Sequence, residues 1–275
     1  MSSKRVLKQD LIRKAQPTWE FPDFIADELT KKQHDYCVCV FVINEGPRVQ
    51  KQLKAMKKYT NRIDVVVADG GSTDGSLEKS FLKAQNVRAL LTKTGSGKLS
   101  AQMRMAFAWA LQEGYKGVVV VDGNGKDDIS AIPSFIKHLD AGIDHVQGSR
   151  FIPGGKAVNT PLSREIGLHF IHAPLISIAA GERHTDTTNG FRGYSAKLLG
   201  DEGIAVFRDI FKTYELHYYL AIESSRRKEY KTIETPVTRT YPRKGSTPTK
   251  ISPIKGNIHV LSVLFSAVAG KYKVK

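Results

Sequence analysis

Four consecutive valines, Val118 to Val121, run directly into Asp122-Gly123-Asn124-Gly125-Lys126-Asp127-Asp128. A β-branched run without polar alternation reads as a strand buried on both faces, which requires a sheet with helices on either side. The glycine-broken acidic turn ends that strand. In open α/β sheets ligands bind beyond the carboxyl ends of the strands, so Asp122 stands at the expected mouth of a site. Aspartate and glycine are also ordinary turn residues, and the flanking sequence has to decide between the two readings.

Similar runs precede it. Tyr36–Ile43 (YCVCVFVI) reads as a first buried strand leaving through Asn44-Glu45-Gly46-Pro47, and a helix with Val49, Leu53 and Met56 on one stripe follows. Ile63–Ala68 (IDVVVA) is a second strand, stopped by Asp69-Gly70-Gly71-Ser72-Thr73-Asp74-Gly75, and Val87–Leu91 a third. Repeated strand, turn and helix units predict a parallel sheet. Thr94–Leu99 (TGSGKL) has Thr92 and Leu99 where a P-loop needs glycine and Ser or Thr, so that motif is refuted. What remains is a glycine-rich entry to a helix over Ser100–Leu111, whose N–H groups and Lys98 would favour an anion.

Further on, Ile132–Leu139 reads as a helix and His145–Gln147 as a short strand entering Gly148-Ser149-Arg150. Leu162–Ala180 is an apolar helix that Pro174 kinks or splits, with His169 and His172 as structural residues on one face. Asp186–Tyr194 (DTTNGFRGY) is polar and glycine-punctuated; Tyr214–Ser224 reads as helical; Thr232–Thr240 is extended, with Pro236 marking a sheet edge. The apolar run Ile258–Ala269 is shorter than the roughly 20 residues that span a bilayer. It suits either a membrane surface beside the terminal lysines or a core helix.

The expected organisation is a basic extension over 1–33, one domain over 34–245 and a basic, apolar tail over 246–275. A formal charge of +15 attracts polyanions, anionic lipids or phosphorylated substrates, and no nucleic-acid-binding motif accompanies it. Cys37 and Cys39 alternate on one strand face, which points to reduced thiols and a cytosolic compartment. Met1–Lys32 has no apolar segment of the secretory type.

With these pieces in order, the chain resembles the family-two GT-A glycosyltransferases, in particular the dolichol-phosphate mannose synthase-like, polyprenyl-phosphate sugar transferase branch. The strings FVINEG, ADGGSTDGS, VDGNGKDD, QGSRF, DTTNGFRGY, the helix around Glu215 and ETPVTRTYPRKGSTPTK fall in that family's order across Tyr36–Lys250. The resemblance implies a single α/β, Rossmann-like domain with a mostly parallel central sheet flanked by helices, and inverting hexosyl transfer from a nucleotide sugar. It implies that Asp69 contacts the base or ribose, that Asn44, Glu45, Gly71, Ser72, Lys98, Gly123 and Asn124 shape the nucleotide-sugar pocket, and that Asp122 holds metal and diphosphate. A carboxylate there would hold Mg2+ or Mn2+ as a Lewis acid on the leaving diphosphate. One departure stands out: the second aspartate of the motif is Asn124, and Lys126 follows. Lys126 is expected to assist or partly replace the metal, while Asp127 or Asp128 offers an alternative ligand.

The acceptor divides two further expectations. A phosphate acceptor is already ionised and needs cations, for which Arg150, Arg192, Arg239, Arg243 and Lys250 are the candidates. A hydroxyl acceptor, on a growing polysaccharide or glycolipid, needs a base, for which Asp186 or Glu215 is the candidate. The expected partners are a nucleotide-sugar donor, a lipid-phosphate or glycan acceptor, the inner face of a membrane reached from the cytoplasm, and a membrane subunit. The rival of another class is a nucleotide- or polyanion-binding protein that has lost catalysis. A dehydrogenase is not expected, because no Gly-x-Gly-x-x-Gly follows the first strand.

Overall fold

The valine runs do form the middle of a sheet. In the computed structural model, which describes residues 8–243 and 255–274, the first half of the chain gives α1 (Lys8–Ala15), β1 (Phe24–Glu28), β2 (Tyr36–Val42), α2 (Pro47–Met56) and β3 (Asp64–Asp69). Then come α3 (Lys79–Ala84), β4 (Val87–Lys93), α4 (Leu99–Gln112), β5 (Gly117–Asp122) and α5 (Ile132–Asp140). The second half gives β6 (His145–Ser149), β7 (Lys156–Val158), α6 (Leu162–Gly167), a π-helical turn (Leu168–His172), α7 (Ala173–Ala180) and β8 (Arg192–Ser195). It ends with α8 (Ala196–Gly200), α9 (Glu215–Arg226), β9 (Thr232–Pro236), β10 (Thr238–Thr240) and α10 (Lys255–Val268).

The eight-stranded sheet has the order β1-β4-β3-β2-β5-β8-β6-β9, and β10 pairs with β7 separately. Within it only β1 and β8 oppose the common strand direction. The order reverses between β2 and β5, where both carboxyl ends open a crevice, and Asp122 closes the β5 side of it. Alternation assigns the two faces. Cys37, Cys39, Phe41, Val118 and Val120 face a core shared with α4 and α9, while Val38, Val40, Val119 and Val121 face a second core under α2 and α5. Both cysteines are buried and free.

Several expectations change. Residues 8–28, expected in a basic extension, supply α1 and an edge strand, with Ile12 and Phe24 in the core. Asp186–Tyr194 was expected as a polar link, yet β8 begins inside it and lies between β5 and β6. Thr232–Thr240 divides into β9, at the sheet edge that Pro236 predicted, and β10. The apolar helix is divided where expected, since Pro174 has no N–H to give and its ring crowds the carbonyl four residues back. The chain widens into a π-helical turn before it. α10 packs Val263, Leu264 and Ala267 into the core and leaves Ile258 and Phe265 exposed.

Candidate active site

Two strand-end loops frame the crevice. At the end of β3, both Asp69 oxygens accept from the Ser72 backbone N–H, at 2.9 and 3.0 Å, and Oδ1 also accepts from the Ser72 hydroxyl at 2.6 Å. Gly71 takes φ +97°, which lets the loop turn back on its aspartate. Asn44, at φ 49°, donates its backbone N–H to Ser72 Oγ at 2.9 Å and accepts from Thr73 N–H at 2.8 Å. Asp74 accepts from Gly46 N–H at 2.8 Å, and Glu45 is gripped by Arg48 at 2.9 and 3.0 Å. Asn44, Asp69, Gly71 and Ser72 thus share one hydrogen-bonded rim, with Glu45 beside it and Gly123 and Asn124 on the separate β5 turn. Lys98 is different: it is exposed at the start of α4, and the helix-entry N–H groups of Lys98 and Ser100 already bond the carbonyls of Lys212 and Thr213 at 2.7 and 2.8 Å. That helix end is therefore not an open anion site.

The turn after β5 is held from further away. Gln52, on α2, donates to the Asp122 carbonyl at 3.0 Å and accepts from Gly125 N–H at 2.9 Å. A Cβ on Gly123 would stand 2.8 Å from Val42 Cγ2, so only glycine lets the turn lie against β2. Gly190 brings another loop close to Asp122, since a Cβ there would meet Asp122 Oδ1 at 3.3 Å. Asp122 Oδ2 accepts from Arg239 Nη2 at 3.0 Å and from Asn124 Nδ2 at 3.2 Å. Arg239 Nη1 reaches both oxygens of Asp127, at 2.7 and 2.6 Å, and the Asp127 side chain is wholly buried. Burial works against the charge of Asp122, yet Arg239 outweighs it and holds the carboxyl below its ordinary range. Burial likewise opposes the charge of Arg239, but Asp127 and Asp122 keep it firmly protonated.

Around this pair stands a cluster of cations centred on Tyr241. Lys126 Nζ lies 5.1 Å, Arg164 5.6 Å and Arg239 5.9 Å from the centre of its ring. Arg164 Nη1 also donates to the Tyr241 hydroxyl at 3.4 Å. Burial raises the phenol's pKa, and the charges of Arg239, Arg164, Lys126 and Arg150 more than reverse this. Burial and Arg239 lower the Lys126 ammonium, with Asp122 acting in the opposite sense. The site concentrates positive potential of the kind that receives phosphate.

The remaining candidates separate. Arg150 is buried and donates Nε and Nη2 to Asp186 at 2.7 and 2.9 Å, with a further bond to Thr188 Oγ1 at 3.0 Å. The Asp186 carboxylate, which also accepts the Arg150 backbone N–H at 3.1 Å, is committed to orienting this arginine. Glu215 accepts from the backbone and hydroxyl of Thr213 at 2.5 and 2.7 Å at the start of α9, another structural use of a carboxylate. Arg192 is not an acceptor cation. It is buried and gives its N–H groups to the carbonyls of Asn189, His217 and Thr187 at 3.0, 2.6 and 2.8 Å. Arg243 is exposed, and Lys250 lies outside the described residues. Arg164, Tyr241, Gln52 and the Asp127 pairing were missed. Only Arg164 had a signal, being a cation in the apolar Leu162–Ala180 run.

These residues do not fit a divalent ion. Such an ion needs several convergent oxygens, whereas Asp122 is shared by Arg239 and Asn124, both oxygens of Asp127 face Arg239, and Asp128 accepts from Ser130 N–H to cap the next turn. Among the described residues no group of three or more His, Cys, Asp or Glu converges for a metal.

Residues 37–203 match the sequence model of glycosyl transferase family 2. The chain is 30% identical over 158 residues to an undecaprenyl-phosphate mannosyltransferase of Micrococcus luteus, covering 57% of this chain and 64% of that one. It is 29% identical over 141 residues to a polyprenol monophosphomannose synthase of Mycolicibacterium smegmatis, covering 50% and 53%. The chain thus spans between about half and just under two thirds of these curated relatives. Glucosyl-3-phosphoglycerate synthase from Mycobacterium tuberculosis, solved with Mn2+, uridine diphosphate and phosphoglyceric acid, shares the GT-A fold at TM-score 0.62 and 13% identity, over 100% of this chain and 86% of that one.

Proposed function

The chain belongs to glycosyl transferase family 2, and from that membership and the site's geometry we propose that it moves one hexose from a nucleotide-diphosphate sugar to a polyprenyl phosphate. One observation carries the choice of acceptor: cations converge beside Asp122, while the two carboxylates that could serve as a base are committed elsewhere. A phosphate monoester is largely ionised near neutral pH and attacks without losing a proton, so it needs positive charge more than a base. Its oxygen forms the new bond to the anomeric carbon as the bond to the nucleoside diphosphate breaks. The electron pair leaves with the diphosphate, and in-line attack inverts the centre.

In this reading the loops around Asn44 and Asp69 hold the nucleoside, Arg239 and Lys126 face the diphosphate, and Arg150 and Arg164 receive the acceptor phosphate. Both named relatives point to a mannosyl donor as the first to try.

A membrane surface suits the same acceptor. Leu162, Ile166, Phe170 and Ile178 are exposed along α6, the π-helical turn and α7, as are Ile258 and Phe265 on α10, which packs against α7 and α9. No helix among the described residues is long and apolar enough to cross a bilayer, so a peripheral contact is proposed, aided by the charge of +15. Transfer of labelled sugar from UDP- and GDP-hexoses to a short polyprenyl phosphate tests the reaction. Product that appears only with a hydroxyl acceptor would refute it. Flotation with anionic vesicles but not neutral ones tests the contact.

A further inference from the structure

The mouth of β5 carries a cation where this fold would place a metal. We propose that Arg239 and Lys126 together stand in for the divalent ion, so that the nucleoside diphosphate is bound and released without one. This rests on the sugar-transfer reading above and assigns Arg239 to the donor diphosphate rather than to the acceptor.

Charge is the first argument. Arg239 bonds both Asp122 and Asp127, and Lys126 stands at the same Tyr241 ring as Arg239, so two carboxylates and two cations share one cluster. The two side chains supply the charge that a dication would bring, and adding a dication would crowd fixed cations with another.

Backbone pairing is the second argument. Arg239 stands opposite Asp127 in an isolated antiparallel bridge. Thr240 N–H bonds the Lys126 carbonyl at 2.8 Å and Asp128 N–H bonds the Thr238 carbonyl at 2.9 Å, which fixes β10 against the turn. Arg239 is thus placed by the ladder on both sides of it, and its arrival does not depend on a side-chain contact alone. A metal seeking Asp122 would have to pull the guanidinium from a buried partner that then keeps an unanswered charge.

The third argument is the amide. Asn124 turns its NH2 toward Asp122 and its carbonyl oxygen toward Lys126 N–H, so the residue at the second ligand position braces the turn. As the sugar–diphosphate bond breaks, the negative charge that gathers on the leaving group is met by groups already in place, without recruitment of an ion.

The test is binding of UDP and GDP to the full chain by isothermal titration, in excess EDTA and in Mn2+. At least one nucleotide is expected to bind with affinities within about threefold of each other in the two conditions. The variant Asp127→Asn/Arg239→Gln removes both charges of the buried pair while leaving polar side chains in place; its melting curve reports folding. Its affinity in EDTA is expected to fall about tenfold or more, the loss of a charge-assisted contact. Mn2+ is expected to restore part of that loss, because Asp122 is released to ligate. Lys126→Met is expected to lose affinity in EDTA without disturbing the buried pair. Wild-type binding that disappears in EDTA and returns with Mn2+ overturns the inference while leaving sugar transfer standing. So does a set of variants that bind as tightly as wild type in EDTA. Absence of binding in both conditions overturns the nucleotide-sugar reading and this inference with it.

Discussion

Asp69 and Asp122 occupy equivalent places, each the last residue of a buried parallel strand and each followed by glycine, yet they are satisfied in opposite ways. Asp69 is closed by Ser72, three residues on, in a loop that completes itself. Asp122 is closed by Arg239, 117 positions away, on β10, which pairs with β7 outside the main sheet. A locally closed carboxylate is a preformed shape for a neutral, hydrogen-bonding ligand part. A carboxylate closed by a distant guanidinium is a charge centre whose integrity reports on the whole fold.

Breaking the distant closure has the largest expected effect. Arg239→Ala leaves the wholly buried Asp127 without its cation and should cost about 3–5 kcal/mol in urea unfolding, with loss of transfer activity. The same half of the molecule carries the strongest pH dependence. Burial lowers the pKa of His145 well below 6.5 and that of His217 to about 3, with Arg192 adding to both. Each stays neutral when folded, while the unfolded imidazole takes a proton near pH 6.5. The stability they leave intact above about pH 6.5 is therefore lost as pH falls. By pH 5 this should amount to about 2 kcal/mol for His217, read as a falling urea midpoint, with His145 acting in the same direction.

Smaller changes sharpen the contrast. Gln52→Leu orphans the Gly125 N–H that stays fixed in the turn and should cost about 1–2 kcal/mol, with a fall in kcat because the Asp122 turn loosens. Ser72→Ala removes one hydroxyl from the self-closed loop and should cost about 1 kcal/mol or less, raising the donor KM with little change in kcat. Equal effects of Gln52→Leu and Ser72→Ala on kcat would show that the two strand ends do not differ in role.

The contrast also separates what was readable from what was not. β2, β3 and β5 announce themselves as apolar runs, and their Asn-Glu, Asp-Gly and Asp-Gly-Asn turns lie at the crevice where they were expected. β8 was hidden because its four residues, RGYS, lie in a glycine-rich polar stretch and become a strand through pairing with β5 and β6 on either side. β1 was hidden because FIADE exposes two of its five residues at the sheet edge and buries only Phe24 fully. Arginines looked alike in the sequence, yet Arg192 supports a loop from inside, Arg150 is tied to Asp186 and Arg239 joins Asp122.

The sequence by itself determined the parallel core, the place of the strand-end turns and the excess of positive charge, because these depend on side-chain periodicity, local turn chemistry and simple charge count. Only the tertiary structure decided which cation faces which carboxylate. The pairings of Arg239 join segments more than a hundred residues apart, and their energy depends on burial and on hydrogen-bond geometry that no spacing along the chain records.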